Sequence, residues 1–335
     1  VMATMAIAIL SFTVWLHHFF TMGQNANINA AFGIASMLIG IPTGVKIYDW
    51  MWTMFRGRVR LTVPMMYALG FIVLFVLGGM SGILLASPSI DYQVHNTVFL
   101  VAHFHNVAVP GVLFAMLSAY HFWFPKAFGF RLNERWGKVS ALCWIFGFMG
   151  AFFPLYALGI MGMPRRTVAY ADPRYAPLEW VALGGALLIL VALLALLWQL
   201  RVSIKNRDQN RVFVGDPWAG RSLEWASSAP PPEYNFAVIP VIEGRDSFNT
   251  AKERGRAYLA FSLVWHIWWL VVLALLAGIA SVILRGFSRN TTRIVTAQEV
   301  QREHQLWIDA VTKAAAISRA DECKPANVGL AMFEA

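Results

Sequence analysis

The chain has 335 residues, 58% of them hydrophobic and 13% charged, with a mean hydropathy of +0.55. That balance excludes a soluble domain of ordinary charge content and points to a membrane protein. The formal net charge of +9 is no nucleic-acid footprint, because the basic residues lie in short loops between apolar stretches, without interleaved aromatics.

A spanning helix needs about 20 apolar residues, and seven segments qualify: 1–22, 29–55, 65–87, 96–124, 139–160, 178–200 and 257–284. The expected fold is all-α, a polytopic transmembrane helix bundle in the lipid bilayer. Its parts are an apolar core over 1–200, a cytoplasmic polar connection over 201–256, a further span over 257–285 and a polar tail over 286–335, partly an amphipathic helix. The first segment begins at Val1 with no initiator methionine, charged leader or cleavage signal, so the chain is expected to be a fragment that starts inside a helix. Loops 56–63, 125–138 and 201–256 carry Lys and Arg while 23–28 and 88–95 carry none, which puts the basic loops in the cytoplasm.

In the first segment "WLHHFF" sets His17 beside His18 in an otherwise apolar run. Two adjacent imidazoles leave four ring nitrogens to be partnered in hydrocarbon. Near the outer end of the segment the backbone can leave α-helical geometry and let both converge on one metal, and imidazole ligation suits copper, iron or zinc. A third ligand is wanted, and no other histidine obviously supplies it. In the second segment "IPTGVKIYDW" holds Lys46, the one basic residue inside a spanning segment, with Thr43 one turn earlier on the same face. Counted from residue 29, Lys46 lies about 25 Å along the helix. A lysine at that depth reads as part of a proton path with Thr43 and water; the alternative is a side chain that snorkels to the headgroups.

Before the fourth segment, "SIDYQVHN" brings Asp91, His95 and Asn96, either as loop polarity or as a polar layer shared with the later arginine loop. Within the fourth, "VAHFHN" places His103 and His105 two residues apart, a rotation of about 200° on an α-helix. They leave opposite faces, so they serve two centres, as a helix between two planar cofactors would require, or else they are two core histidines bonded to neighbouring helices. Five of the eight histidines (17, 18, 95, 103 and 105) fall in one predicted outer half, which favours metals. The outer loop 161–177, "MGMPRRTVAYADPRYAP", breaks the charge rule with Arg165, Arg166 and Arg174 and calls for a bound anion. His121, His266 and His304 read as structural, interfacial or surface groups, and Cys143 and Cys323 are too few and too separated for a disulfide framework or thiolate site.

The ordered set "WLHHFFTMG", "IPTGVKI", "LGGMSGILLA", "VAHFHN", "PKAFGF", "GMPRR" and "SLEWASSAPPP" resembles subunit I of the haem-copper terminal oxidases, most of all the bo-type ubiquinol oxidases, over nearly the whole chain as the carboxy-terminal half of that subunit. The resemblance implies that His17 and His18 ligate the active-site copper, that His103 is axial to the high-spin haem and that His105 is axial to the low-spin haem. It gives Arg165 and Arg166 to haem propionates, with His95 and Asp91 in the propionate layer, and Lys46 and Thr43 to a proton channel. The implied cofactors are a low-spin haem b, a high-spin haem o or a, and one copper ion at a binuclear centre. The implied reaction is reduction of dioxygen to water with electrons from ubiquinol, coupled to proton translocation in a bacterial inner membrane. The implied partners are other oxidase subunits of types II, III and IV.

Asn96, where cytochrome c oxidases carry an aspartate, and the apolar run after "EWASSAPPP" resemble the quinol branch, although that branch would have two further spans here and the run fits one. The third copper histidine, the other low-spin haem ligand and the quinol site are expected in an absent amino-terminal half. Rival readings are a cytochrome c oxidase, a nitric oxide reductase, against which the "PTGVK" lysine counts, and a haem-free divalent-cation transporter.

Overall fold

A computed structural model describes residues 1–253, apart from 171, 213–215, 237–239, 241, 243 and 245, together with positions 301–302, 305–306 and 308–309. Six helical stretches among these residues are long and apolar enough to cross a membrane: Met2–Phe19, Ala26–Met54, Val63–Leu85, Val98–Phe128, Glu134–Ile160 and Ala176–Lys205. The expected span over 257–285, His266, His304, Cys323 and most of the tail lie outside the described residues; the described tail positions are helical.

Each of the first two stretches is broken where its sequence demands it. Helix α1 (Met2–Thr13) gives way at Val14 to a 3₁₀ turn over Trp15–Phe19. Asn25 caps α2 (Ala26–Leu38) by accepting from Asn27 N. Pro42 has no N–H for the Leu38 carbonyl, and a break at Ile39 separates α2 from α3 (Gly40–Met54). After α4 (Val63–Leu85) and the short α5 (Pro88–Val94) comes α6 (Val98–Ala108), capped by Thr97. Pro110 then widens the helix into a π turn over Val109–Phe114 before α7 (Ala115–Phe128) resumes. Two long helices follow, α8 (Glu134–Ile160) and α9 (Ala176–Lys205).

The described residues form two compact units. In the larger, Val1–Trp123 with Leu132–Asn206, the helices meet through small residues, because lipid gives no hydrophobic drive for helix association and close backbone packing replaces it. A Cβ on Gly185 of α9 would fall 2.1 Å from Ala151 N of α8, and one on Gly78 of α4 would fall 2.7 Å from the Asn106 carbonyl of α6. Around these contacts Tyr67, Leu74, Phe114, Trp144 and Phe148 fill one core. Within it the Tyr67 hydroxyl meets Ser140 Oγ at 3.1 Å, and Ser140 donates to Ala192 O, tying α4, α8 and α9 together. His121 is buried here with both ring nitrogens engaged, by Leu117 O and Gln199 Oε1, as a structural group. Leu183, Leu187, Leu190, Leu194 and Leu197 stay exposed on α9, as a lipid-facing surface should.

The smaller unit joins Phe124–Arg131 to the described residues from Arg207 on. Here the sequence expectation needs correcting. Lys126 is not a loop cation: the helix runs on to Phe128, and Lys126 is buried with Nζ donating to Ser227 O at 2.5 Å. Lys46 is therefore not the one basic residue within a spanning helix. Gly129 adopts φ +74° against Ala229, where a side chain would be strained. Arg131 N and Val212 N bond Asn210 O and Gly129 O to close the corner.

Candidate metal-binding site

The 3₁₀ turn answers why two histidines stand side by side. Tighter winding brings the rings of His17 and His18 to 4.4 Å between centroids, tilted by 57°. Trp15 packs on His18 at 4.9 Å. The end of the turn is pinned at Phe20, whose carbonyl accepts from Asn29 Nδ2 at 3.1 Å and from the Tyr92 hydroxyl at 2.8 Å. Ser36 gives its hydrogen to Phe32 O at 2.6 Å, so at 2.9 Å from His17 Nδ1 it acts as acceptor. His17 is thereby fixed with hydrogen on Nδ1 and a lone pair on Nε2, the form that binds a metal.

The same device holds the α6 pair. His103 Nδ1 lies 3.0 Å from Gly78 O and 3.0 Å from Ser81 Oγ. A carbonyl can only accept, so Nδ1 carries the hydrogen. Ser81 donates to Gly78 O at 2.7 Å and meets the Tyr156 hydroxyl at 2.9 Å, which braces the site from α8. Gly82 leaves room for the ring: a Cβ there would be 2.7 Å from His103 Cε1. His105 donates Nδ1–H to Val101 O at 2.8 Å, and its ring stacks on Phe152 of α8 at 4.5 Å. The two residues do leave opposite faces of α6.

His17, His18 and His103 line one cavity of about 460 Å³, together with Thr43, Asp91 and His95; His105 does not line it. The rest of its wall is largely apolar, with Phe75, Ile83, Leu100 and Val107. Imidazoles among largely apolar walls, with Nδ1 of His17 and of His103 held by hydrogen bonds, fit copper and haem iron as ligands. Among the described residues no third His, Cys, Asp or Glu completes a metal-holding group with His17 and His18.

In the cavity wall Asp91 and His95 pair at 2.8 Å. Burial pushes the Asp91 carboxyl above its usual range, while the His95 hydrogen bond and the charges of His95 and His18 pull it the other way. The arginine loop is clasped to this corner by Arg165 N→Asn96 O at 2.9 Å and Val98 N→Met163 O at 3.0 Å. Arg166 holds φ +64°, a left-handed conformation uncommon for a long side chain. Neither Arg165 nor Arg166 forms an ion pair among the described residues, but Arg174 does: it grips Asp172 at 2.6 Å. Of the three arginines in this loop, Arg165 and Arg166 are thus the two without an ion pair among the described residues.

Thr43 reaches the cavity wall with its hydroxyl on Ile39 O at 2.8 Å. Lys46 lies one turn further along α3, its Nζ 3.8 Å from Asp49 and 5.6 Å from the Trp50 ring, and does not line the cavity. Sequence reasoning passed over Ser36, Ser81, Tyr156, Asn29 and Tyr92. Their one trace was a hydroxyl or amide inside or beside an apolar run, which does not say which imidazole it will meet.

Residues 1–188 match the family model described as cytochrome c and quinol oxidase polypeptide I. The chain is 44% identical over 332 residues to the "Probable cytochrome c oxidase subunit 1" of Bradyrhizobium diazoefficiens, covering 90% of this chain and 50% of that protein. It is also 44% identical over 326 residues to the "Cytochrome bo(3) ubiquinol oxidase subunit 1" of Buchnera aphidicola subsp. Baizongia pistaciae, with 89% and 50% covered. It thus spans about half the length of the curated relatives it matches. Among solved structures it is similar to a chain of a haem-copper terminal oxidase dimer, with a TM-score of 0.51 at 20% identity, covering 58% of this chain and 40% of that one. That likeness supports the helical fold.

Proposed function

The chain belongs to the cytochrome c and quinol oxidase polypeptide I family, whose members use haem and copper, and on that premise we propose that it forms part of the catalytic subunit of a respiratory terminal oxidase that reduces dioxygen to water with electrons from ubiquinol and translocates protons. It is a multi-pass protein of a bacterial inner membrane. Family membership sets aside the haem-free cation carrier. The observation that carries the reading is one helix, α6, presenting His103 to the cavity of His17 and His18 while His105 faces α8.

When bound, a low-spin haem b, a high-spin haem o or a and one copper ion supply the electron transfer and the reduction of dioxygen. The chain's own part is placement and proton handling. His103 and His105 would each hold a haem iron through Nε2, and the Nδ1 hydrogen bonds to Gly78, Ser81 and Val101 keep each ring from turning. Because both stand on one rigid helix, their separation cannot drift. His17 and His18 offer imidazole nitrogen to copper, with His17 oriented by Ser36. Arg165 and Arg166 are the cations for haem propionates, and Asp91 with His95 completes the polar layer beside them. Lys46 holds a proton on Nζ and passes it by way of water toward Thr43 Oγ1 at the cavity wall. The largely apolar walls offer few groups that can carry a proton, which leaves Thr43 as the relay nearest Lys46 at the cavity wall.

Partner subunits of types II, III and IV belong to the same proposal. Ubiquinol as donor rests on Asn96 and on the relative named a ubiquinol oxidase; the relative named a cytochrome c oxidase favours cytochrome c as a second reading. Oxygen uptake by the purified complete enzyme, offered a short-chain ubiquinol or reduced cytochrome c in turn, decides between them. Uptake sustained by ubiquinol alone is expected, and uptake sustained by cytochrome c alone overturns the donor assignment.

A further inference from the structure

At one end of the α8–α9 pair the two helices part to leave a groove of about 530 Å³. Its walls are Trp136, Val139, Val191, Leu194 and Trp198, and Arg201 closes one end. The two indoles meet edge to face at 6.3 Å, and the Arg201 guanidinium lies 5.7 Å from the Trp198 ring. Arg201 has no ion pair among the described residues, nor have Arg135 and Lys205 at the same ends of the two helices. Glu134, at the start of α8, is engaged by Val63 N at 3.1 Å and by Lys138 at 3.8 Å. Arg135, Arg201 and Lys205 thus stand at this end of the two helices without an ion pair among the described residues.

The groove has the length and lining for one acyl chain of a lipid. From Arg201 back to Val191 is about 15 Å of helix, which is the depth of one leaflet's hydrocarbon, half of about 30 Å. Tryptophans sit where the headgroup region meets the acyl chains. In sequence this end of α8 and α9 carries Arg135, Lys138, Arg201 and Lys205, which puts it on the cytoplasmic side by the charge rule. A basic pocket between spanning helices on that side recognises an anionic headgroup.

We infer that this groove binds an anionic phospholipid of the cytoplasmic leaflet, its phosphate on Arg201 and one acyl chain along Leu194, Val191 and Val139 between the two tryptophans. Arg201 gives the preference for negative charge; the apolar walls give the retention. The proposal does not depend on which haems the protein carries or on its electron donor.

The test uses the complete purified oxidase, stripped of lipid in detergent and titrated with dioleoylphosphatidylglycerol, dioleoylphosphatidylcholine or inorganic phosphate, with bound lipid counted by native mass spectrometry. Phosphatidylglycerol should be retained at concentrations about fivefold lower than phosphatidylcholine, a preference set by one basic side chain near the membrane surface. Arg201→Gln should abolish the preference while leaving phosphatidylcholine binding and the visible spectrum unchanged. Equal preference in wild type and Arg201→Gln overturns the site. Displacement of phosphatidylglycerol by inorganic phosphate at similar concentration overturns the lipid in favour of a free anion. A photo-crosslinker at Leu194 that captures a neighbouring subunit and no lipid overturns it as well.

Discussion

Gly82→Ala should separate the two iron sites proposed on α6. The added Cβ would lie 2.7 Å from His103 Cε1, where 3.4 Å is an ordinary contact, so the ring must move by about 0.7 Å. It cannot do so freely, because its Nδ1 is held at 3.0 Å by both Gly78 O and Ser81 Oγ. Overpacking of this kind costs about 1–3 kcal/mol locally, while alanine is otherwise the better helix former, so the fold should survive. A ligand displaced by nearly 1 Å can cost about a hundredfold in rate. Oxygen uptake should therefore fall by about ten- to a hundredfold. The carbon monoxide difference spectrum of the proposed high-spin haem should shift, while the low-spin α-band, which the proposal assigns to His105 across the helix, should not. Wild-type turnover together with an unshifted carbon monoxide spectrum would refute the idea that Gly82 is there to seat the His103 ring.

Lys46→Met should slow turnover by at least about tenfold with haem and copper content unchanged, since the side chain is assigned to proton supply and touches no cofactor; unchanged turnover would return Lys46 to snorkelling. Ser36→Ala removes the acceptor for His17 Nδ1 and should lower copper retention by about tenfold against a chelator, with partial rescue by Ser36→Thr; equal retention would show that Ser36 does not orient the ligand. Arg165→Gln should make haem easier to extract in detergent, whereas Arg174→Gln should not, because Arg174 is already spent on Asp172; equal effects would contradict the division of roles.

The spans were legible because their physics is one-dimensional. A run of apolar residues in lipid must be helical, and six described stretches lie within a few residues of the expected segments. The opposite facing of His103 and His105 was also legible, since helical rotation alone dictates it. Tertiary partners were not. Nothing in "IASMLIG" says that Ser36 will reach an imidazole nineteen positions earlier, or in "MSG" that Ser81 will bridge His103 and Tyr156. Charge counting misplaced Lys126, because a lysine following Pro125 reads as a loop until the fold supplies the buried Ser227 carbonyl. In the outer loop the ion pair of Arg174 with Asp172 was equally hidden, because the count of Lys and Arg takes no account of side-chain partners.

The central claim is that α6 serves two haem irons from opposite faces, beside a copper held by the neighbouring doublet. Reduced-minus-oxidised and carbon monoxide spectra of the complete purified oxidase, recorded for His103→Ala and His105→Ala, test it most directly. His103→Ala should erase the carbon monoxide signal and oxygen reduction while sparing the low-spin band, and His105→Ala should remove the low-spin band. Loss of both haems to the same degree from either variant, in a stably assembled enzyme, would contradict it.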